Sequence, residues 1–423
     1  MTAVFRRSTV EALLARSTDD DTEVHATAAA IVSDVRRRGE PALREYAERF
    51  DGLEPGASLL IDRCELQRAL RDMPIDTVER LRRIAARIAL FAEGQRTSLV
   101  SFETTIPGGR AGHVMAPVSR VGCYAPGGRY PLPSSVLMTT LTARAAGVEQ
   151  VWVASPRPDA VMLACAALGD ADGFLVAGGA HAIAALAYGA GNLRPCDMIV
   201  GPGNAWVTAA KRIVFGQVGI DTLAGPSELV VLADETANAC LVAADLLAQA
   251  EHDPLCVPVL VSLHEALIVS VGQELERQLA SLPTAPIARA ALQNGGAVLV
   301  RHRDEAMAAC DLLAPEHLQL HVAEPHWFAE RLRHYGALFV GKNSAEVLGD
   351  YGAGPNHVLP TGGASRFSAG LSVFSFLRVR TWLSIDEREA ARDLYADAAW
   401  LARVEGLEAH ARAAEYRLRR TAR

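Results

Sequence analysis

Seven cysteines in 423 residues, scattered from Cys64 to Cys310, include no CxxC pair. Their odd number and wide spacing argue against a disulfide framework and against a thiolate zinc site. No run reaches 18 apolar residues, so no membrane-spanning helix is expected. The stretch Met1 to Asp19 lacks the apolar core of a secretory signal, and the chain reads as cytoplasmic. Net charge is −7 and basic residues form no dominant block, which speaks against nucleic acid or an anionic membrane as partner. Short repeats, low-complexity tracts and Ser- or Pro-rich linkers are missing as well. So is the GxGxxG turn with a downstream acidic residue that marks the usual dinucleotide fold.

What remains is an ordinary globular balance, 50% hydrophobic and 22% charged, in a chain long enough for more than one core. Helical periodicity with charge fills the first hundred residues, over Thr22 to Arg38, Pro41 to Phe50 and Ile75 to Gly94. From Val121 short apolar runs (Val151 to Ala154, Phe174 to Ala177, Met198 to Val200) alternate with helical stretches such as Ser134 to Ala146. That alternation predicts βαβ units and a parallel sheet. Further strand-like runs at Leu229 to Ala233, Pro258 to Leu263, Ala297 to Val300, Leu318 to Val322 and Ala337 to Val340 predict a second α/β unit. After Phe376 the pattern is helical again.

Two short segments carry the chemistry. In Gln249-Ala250-Glu251-His252, Gln249 and His252 are three apart and would share one helix face. With Asp350 and His410 they make a nitrogen and oxygen ligand set suited to zinc. In Ala314-Pro315-Glu316-His317 a carboxylate and an imidazole stand side by side, as proton transfer requires. Glycine-rich turns at Pro126-Gly127-Gly128, Gly178-Gly179-Ala180 and Gly201-Pro202-Gly203-Asn204 follow strand-like runs. They would let a ligand approach the backbone closely, or simply be tight βα turns. Ser227 lacks the GxSxG setting of a nucleophile. The irregular segment Gly349 to Thr361 contains Asp350 and His357.

The order and spacing of several blocks resemble the histidinol dehydrogenase family over nearly the whole chain. They are Val121 to Gly128, Gly178 to Ile183, Gly201 to Ala205, Ala224 to Glu228, Gln249 to His252, Pro315 to Leu318, Asn356 to Thr361 and Leu407 to His410. The resemblance implies two incomplete Rossmann-like parallel-sheet domains, one inserted in the other. Residues 21–123 and 228–372 would form the first, with the substrate and metal site, and 124–227 the insert that meets NAD. A short N-terminal arm (1–20) and a helical tail (373–423) would be exchanged in a homodimer. It further implies zinc ligands Gln249, His252 and Asp350, with His410 from the neighbouring subunit, and the acid/base pair Glu316 and His317. Ser227, His317, His357 and Glu405 match substrate contacts, and Tyr124, His181 and Asn204 match nucleotide contacts. Histidinol would be oxidised in two steps through bound histidinal, with two NAD, at the end of histidine biosynthesis. Glu251 is left a structural part.

Three positions depart from the pattern: His181 where glutamine is common, Ser375 where aspartate is usual, and Leu313-Ala314 where Tyr-Gly also occurs. The zinc and acid/base positions are intact. Two other readings use the same residues. One is a paralogous zinc and NAD dehydrogenase of another polar alcohol, such as a sulfopropanediol, although Glu405 suits an ammonium-bearing substrate. The other is a zinc hydrolase in which Glu316 activates water.

Overall fold

A computed structural model describes residues 5–15, 22–127 and 131–418. The third glycine-turn residue of the 126–128 segment, Gly128, lies outside the described residues, as do residues 1–4 and 16–20 of the N-terminal arm and the last basic residues of the tail. The chain divides into two compact units: residues up to Gly94 with Val118–Phe376, and Gln95–Pro117 with everything from Leu377 onward.

The first unit holds two α/β sheets. One has the strand order Leu60–Asp62, Gly173–Leu175, Gln150–Ala154, Arg120–Tyr124, Met198–Val200, Gly219–Ile220. All its pairings are parallel except that of Leu60–Asp62. The other is parallel throughout, in the order Gly296–Leu299, Val257–Ser262, Glu228–Ala233, His317–His321, Ala337–Val340. The strands read as unbroken apolar runs because helices cover both faces of each sheet, leaving no polar alternation. In the second sheet Val231 and Leu260 belong to one core, Val230 and Leu232 to the other. Leu232 is fully buried in the central strand, so Leu232→Ala is expected to cost about 2–5 kcal/mol. Urea unfolding would read it as a lower midpoint, and an unchanged midpoint would contradict this packing.

Residues 22–62, expected to accompany the second sheet, pack on the first instead. Ile31, Val32, Val35 and Leu43 share a core with Ile183, Leu186, Val207 and Val214, and Leu60 pairs with Leu175. The apolar faces of helices Thr22–Arg38 and Glu40–Tyr46 meet their cover there. Phe5 joins the core of the second sheet, where Arg7 bridges to Ala297.

The second unit is a three-stranded antiparallel sheet with two helices. Gly109–Pro117 lies between Phe102–Ile106 and Leu377–Ile385. The tail is helical over Arg392–Val404 and Glu408–Leu418, but Leu377–Ile385 is a strand the helical reading did not foresee. Gly109 and Gly112 press so closely on their neighbours that a Cβ would lie 1.9 Å from the Ser384 carbonyl oxygen and 2.3 Å from that of Phe102.

Candidate active site

The two sheets present opposite ends to the functional residues. In the first, Tyr124 ends a strand, and the Gly178–Gly179 and Gly201–Asn204 turns follow the carboxyl ends of two others. This is where open parallel sheets usually bind ligands. In the second, Glu228 and His317 are the first residues of adjacent strands. The chain from Asp221 to Ser227 runs from the first set to the second.

A cleft of about 1840 Å³ is lined by Tyr124, Gly127, His181, Asn204, Ser227 and His252, among others. It therefore brings together the three residues expected to meet nucleotide and two of those expected to meet substrate or metal. The Tyr124 hydroxyl accepts from Gly179 N–H at 3.2 Å, and burial pushes its pKa up to about 12. Asn204 caps the helix Ala205–Val214, its Oδ1 accepting from Val207 N–H at 3.2 Å. His181 is buried, with Nε2 2.8 Å from Asp51 Oδ2, and the same oxygen accepts from Gly178 N–H at 2.8 Å. Here histidine in place of glutamine has found a carboxylate partner.

Glu316 and His317, the pair expected to transfer protons, sit where Ala314 ends the helix Arg303–Leu313 in a left-handed conformation (φ 46°) and Pro315 turns the chain into its strand. Both residues are buried, and the main chain of Glu228 holds them. Glu228 N–H donates to Glu316 Oε2 at 3.0 Å, and the Glu228 carbonyl lies 3.2 Å from His317 Nδ1. A carbonyl only accepts, so Nδ1 carries the proton and Nε2 keeps its lone pair. Burial lowers the His317 pKa to about 4, which keeps the ring neutral. Burial, with nearby carboxylates, raises that of Glu316 well above the usual range. Near neutral pH His317 therefore presents an unprotonated Nε2, and the Glu316 carboxyl holds its proton more tightly than a free carboxyl would.

Carboxylates surround His317 Nε2: Glu346 Oε1 at 3.6 Å and Asp350 Oδ1 at 3.9 Å. The other Asp350 oxygen is 3.5 Å from His252 Nε2. Donor atoms of His317, Glu346 and Asp350 all lie within 4.8 Å of one another, a geometry able to hold a cation. Gln249 is buried, and its Oε1 has no hydrogen-bond partner among the described residues. The helix Ala239–Ala250 stops short of His252, so the two side chains are joined through a turn rather than along a continuous helix face. Glu251 accepts from the Thr284 hydroxyl at 2.7 Å. His357 bridges Ser135 Oγ (3.2 Å) and the Asp350 carbonyl (3.1 Å), tying the irregular 349–361 segment to the helix Pro133–Ala146.

Glu405 and His410 belong to the second unit, both exposed, at the end of one helix and within the next. Ser375 lies in a short turn where its hydroxyl accepts from Ser372 N–H at 3.2 Å. Two site residues escaped the sequence reading. Glu346 is fully buried, neither of its oxygens has a hydrogen-bond partner among the described residues, and burial with the Asp350 and Asp245 charges raises its pKa to about 9. Its i,i+4 spacing to Asp350 was the available signal. Glu228, whose main chain grips the pair, has a carboxyl that burial raises to about 7.

The family model described as histidinol dehydrogenase matches residues 14–418. A histidinol dehydrogenase of Geobacillus kaustophilus is 47% identical over 395 residues, 92% of each chain. One of Bordetella parapertussis is 43% identical over 419 residues, 97% of this chain and 95% of the relative. The crystal structure of histidinol dehydrogenase from Elizabethkingia anophelis superposes with a TM-score of 0.92 over 99% of both chains, at 29% identity.

Proposed function

This chain belongs to the histidinol dehydrogenase family, and from that premise we propose that it oxidises L-histidinol to L-histidine through bound histidinal, using zinc and two NAD in turn. It is an NAD-dependent dehydrogenase, and this membership favours neither the hydrolase nor the other-alcohol reading. The observation that carries the proposal is the double grip of the Glu228 main chain on Glu316 and His317, beside the Asp350 and His252 pair.

The residues fit both cofactors. Gln249 Oε1, buried and unpartnered, and the His252 and Asp350 donors make a hard-to-borderline set suited to zinc. His410 of the partner subunit would complete it. The cleft walls at Tyr124, His181 and Asn204 suit a nucleotide. Bound zinc would orient the amine and imidazole of the substrate, and bound NAD would accept the hydride lost in each oxidation.

His317 takes the alcohol proton at Nε2 during the first oxidation. Glu316 takes a proton from water as its oxygen adds to the aldehyde, giving the hydrate that the second oxidation converts to carboxylate. Ser227 and His357 hold the substrate, and Glu405 pairs with its ammonium group. Burial of the pair keeps the aldehyde from stray water between the two rounds. The second unit leaves Trp400, Val404 and Leu383 about two-thirds exposed, apolar surface that a homodimer would cover.

The test is stoichiometry. Zinc-loaded protein is expected to form two NADH per histidinol and to oxidise added histidinal with one. A single NADH per histidinol, with aldehyde accumulating, would sink the four-electron reading.

A further inference from the structure

A fully buried ion pair lies behind the turn that carries Asn204. Lys211, on the helix Ala205–Val214, and Asp221, just beyond the strand Gly219–Ile220, have side chains each 2% exposed. The lysine Nζ donates to the aspartate Oδ1 and, at 3.1 Å, to the carbonyl of Gly201. The other aspartate oxygen accepts from the N–H of the same glycine at 2.6 Å. Both main-chain polar groups of Gly201 are therefore held by one pair of charges.

Gly201 cannot be held there by a side chain of its own. Its φ is +114°, and a Cβ would fall 2.0 Å from the Tyr124 carbonyl oxygen. The turn thus presses on the main chain of Tyr124, and three residues on it reaches Asn204. Asp221 Oδ1 also accepts from Thr222 N–H at 2.6 Å, and Thr208 Oγ1 donates to the Ala224 carbonyl at 2.7 Å. These bonds fix the start of the crossover toward Ser227 and Glu228.

We propose that Lys211 and Asp221 are positioning residues for the nucleotide: the pair clamps the Gly201 turn and so sets Asn204 relative to Tyr124. This rests on the reading that Tyr124 and Asn204 meet NAD. Burying two charges is a poor route to stability alone, since well-packed apolar residues often serve as well. What the pair supplies, and an apolar pair would not, is a donor and an acceptor on the two polar groups of Gly201.

The experiment compares Asp221→Asn, the double variant Lys211→Met with Asp221→Leu, and Asn204→Ala in the zinc-loaded enzyme. The double variant carries no buried charge, and Asp221→Asn keeps an acceptor for Gly201. Loss of the Gly201 bonds is expected to raise the KM for NAD about tenfold or more in the double variant. Its kcat and its KM for histidinol are each expected to change less than its KM for NAD. Asp221→Asn should fall between it and the unchanged protein. If the double variant does not fold, an unchanged KM for NAD in Asp221→Asn overturns the proposal. So does a folded double variant whose KM for NAD is unmoved, or whose loss falls on kcat and both KM values alike. Asn204→Ala separates the two ideas: if it raises the KM for NAD while the clamp variants do not, the clamp fails and the nucleotide reading stands. If Asn204→Ala has no effect, the nucleotide reading itself is lost.

Discussion

Replacing His317 by asparagine is expected to lower kcat for histidinol oxidation by about 10²–10⁴-fold. Asparagine keeps an amide that can donate to the Glu228 carbonyl, as Nδ1 does at 3.2 Å, but it offers no base at the Nε2 position. Glu316→Gln should behave differently. Its amide oxygen can still accept from Glu228 N–H, whereas the proton-taking carboxylate is gone. The first oxidation should then survive better than the second, and histidinal oxidation should fall by a comparable 10²–10⁴-fold. Single-turnover NADH formation with histidinol and with histidinal distinguishes the two. Equal losses in both half-reactions for both variants would show that the roles are not divided between the residues.

Asp350→Ala is expected to produce the second large effect. Asp350 faces His252 Nε2 at 3.5 Å and His317 Nε2 at 3.9 Å, and its carbonyl anchors His357 at 3.1 Å. Changes behind a metal ligand commonly cost about 10–100-fold in metal affinity, so losing the ligand itself should cost about 100-fold or more. Zinc titration of metal-free protein reads this directly, and unaltered affinity would remove Asp350 from the ligand set. Glu346→Gln gives the contrast. Its carboxylate shares the His317 and Asp350 cluster, yet the proposed ligand set of Gln249, His252 and Asp350 with His410 of the partner subunit does not use it. Zinc affinity should persist in Glu346→Gln, and its loss would move the metal toward His317.

Much of this was legible in the chain. The parallel strands announce themselves because both faces are buried, so each is a run of Val, Ile, Leu and Ala. Gln249, His252, Glu316, His317 and Asp350 stand in short blocks whose spacing is distinctive. Glu346, Asp51 and the Lys211 and Asp221 pair were silent for a different reason. Their meaning lies in partners that only the fold brings near: Asp51 meets His181 across 130 residues of sequence. The strand Leu377–Ile385 was legible and missed. Leu377, Val379, Thr381, Leu383 and Ile385 alternate with Arg378, Arg380, Trp382 and Ser384, the period of a strand rather than a helix. The placement of residues 22–62 could not be read from periodicity, because an amphipathic helix does not state which sheet covers it.

The pairing of Gly109–Pro117 with Leu377–Ile385 also imposes a timetable. Val118–Phe376, the larger part of the first unit, is synthesised between these two strands. During translation Gly109–Pro117 has only Phe102–Ile106 beside it, and its other edge is open. Open edges invite pairing with strangers, and contacts so distant in sequence form slowly. Arg110, His113 and Pro117 along that strand are the kind of residues that discourage such pairing. Shortening the chain after Phe376 should therefore expose a sheet edge and yield aggregates, even though the first unit would keep every strand of its own two sheets.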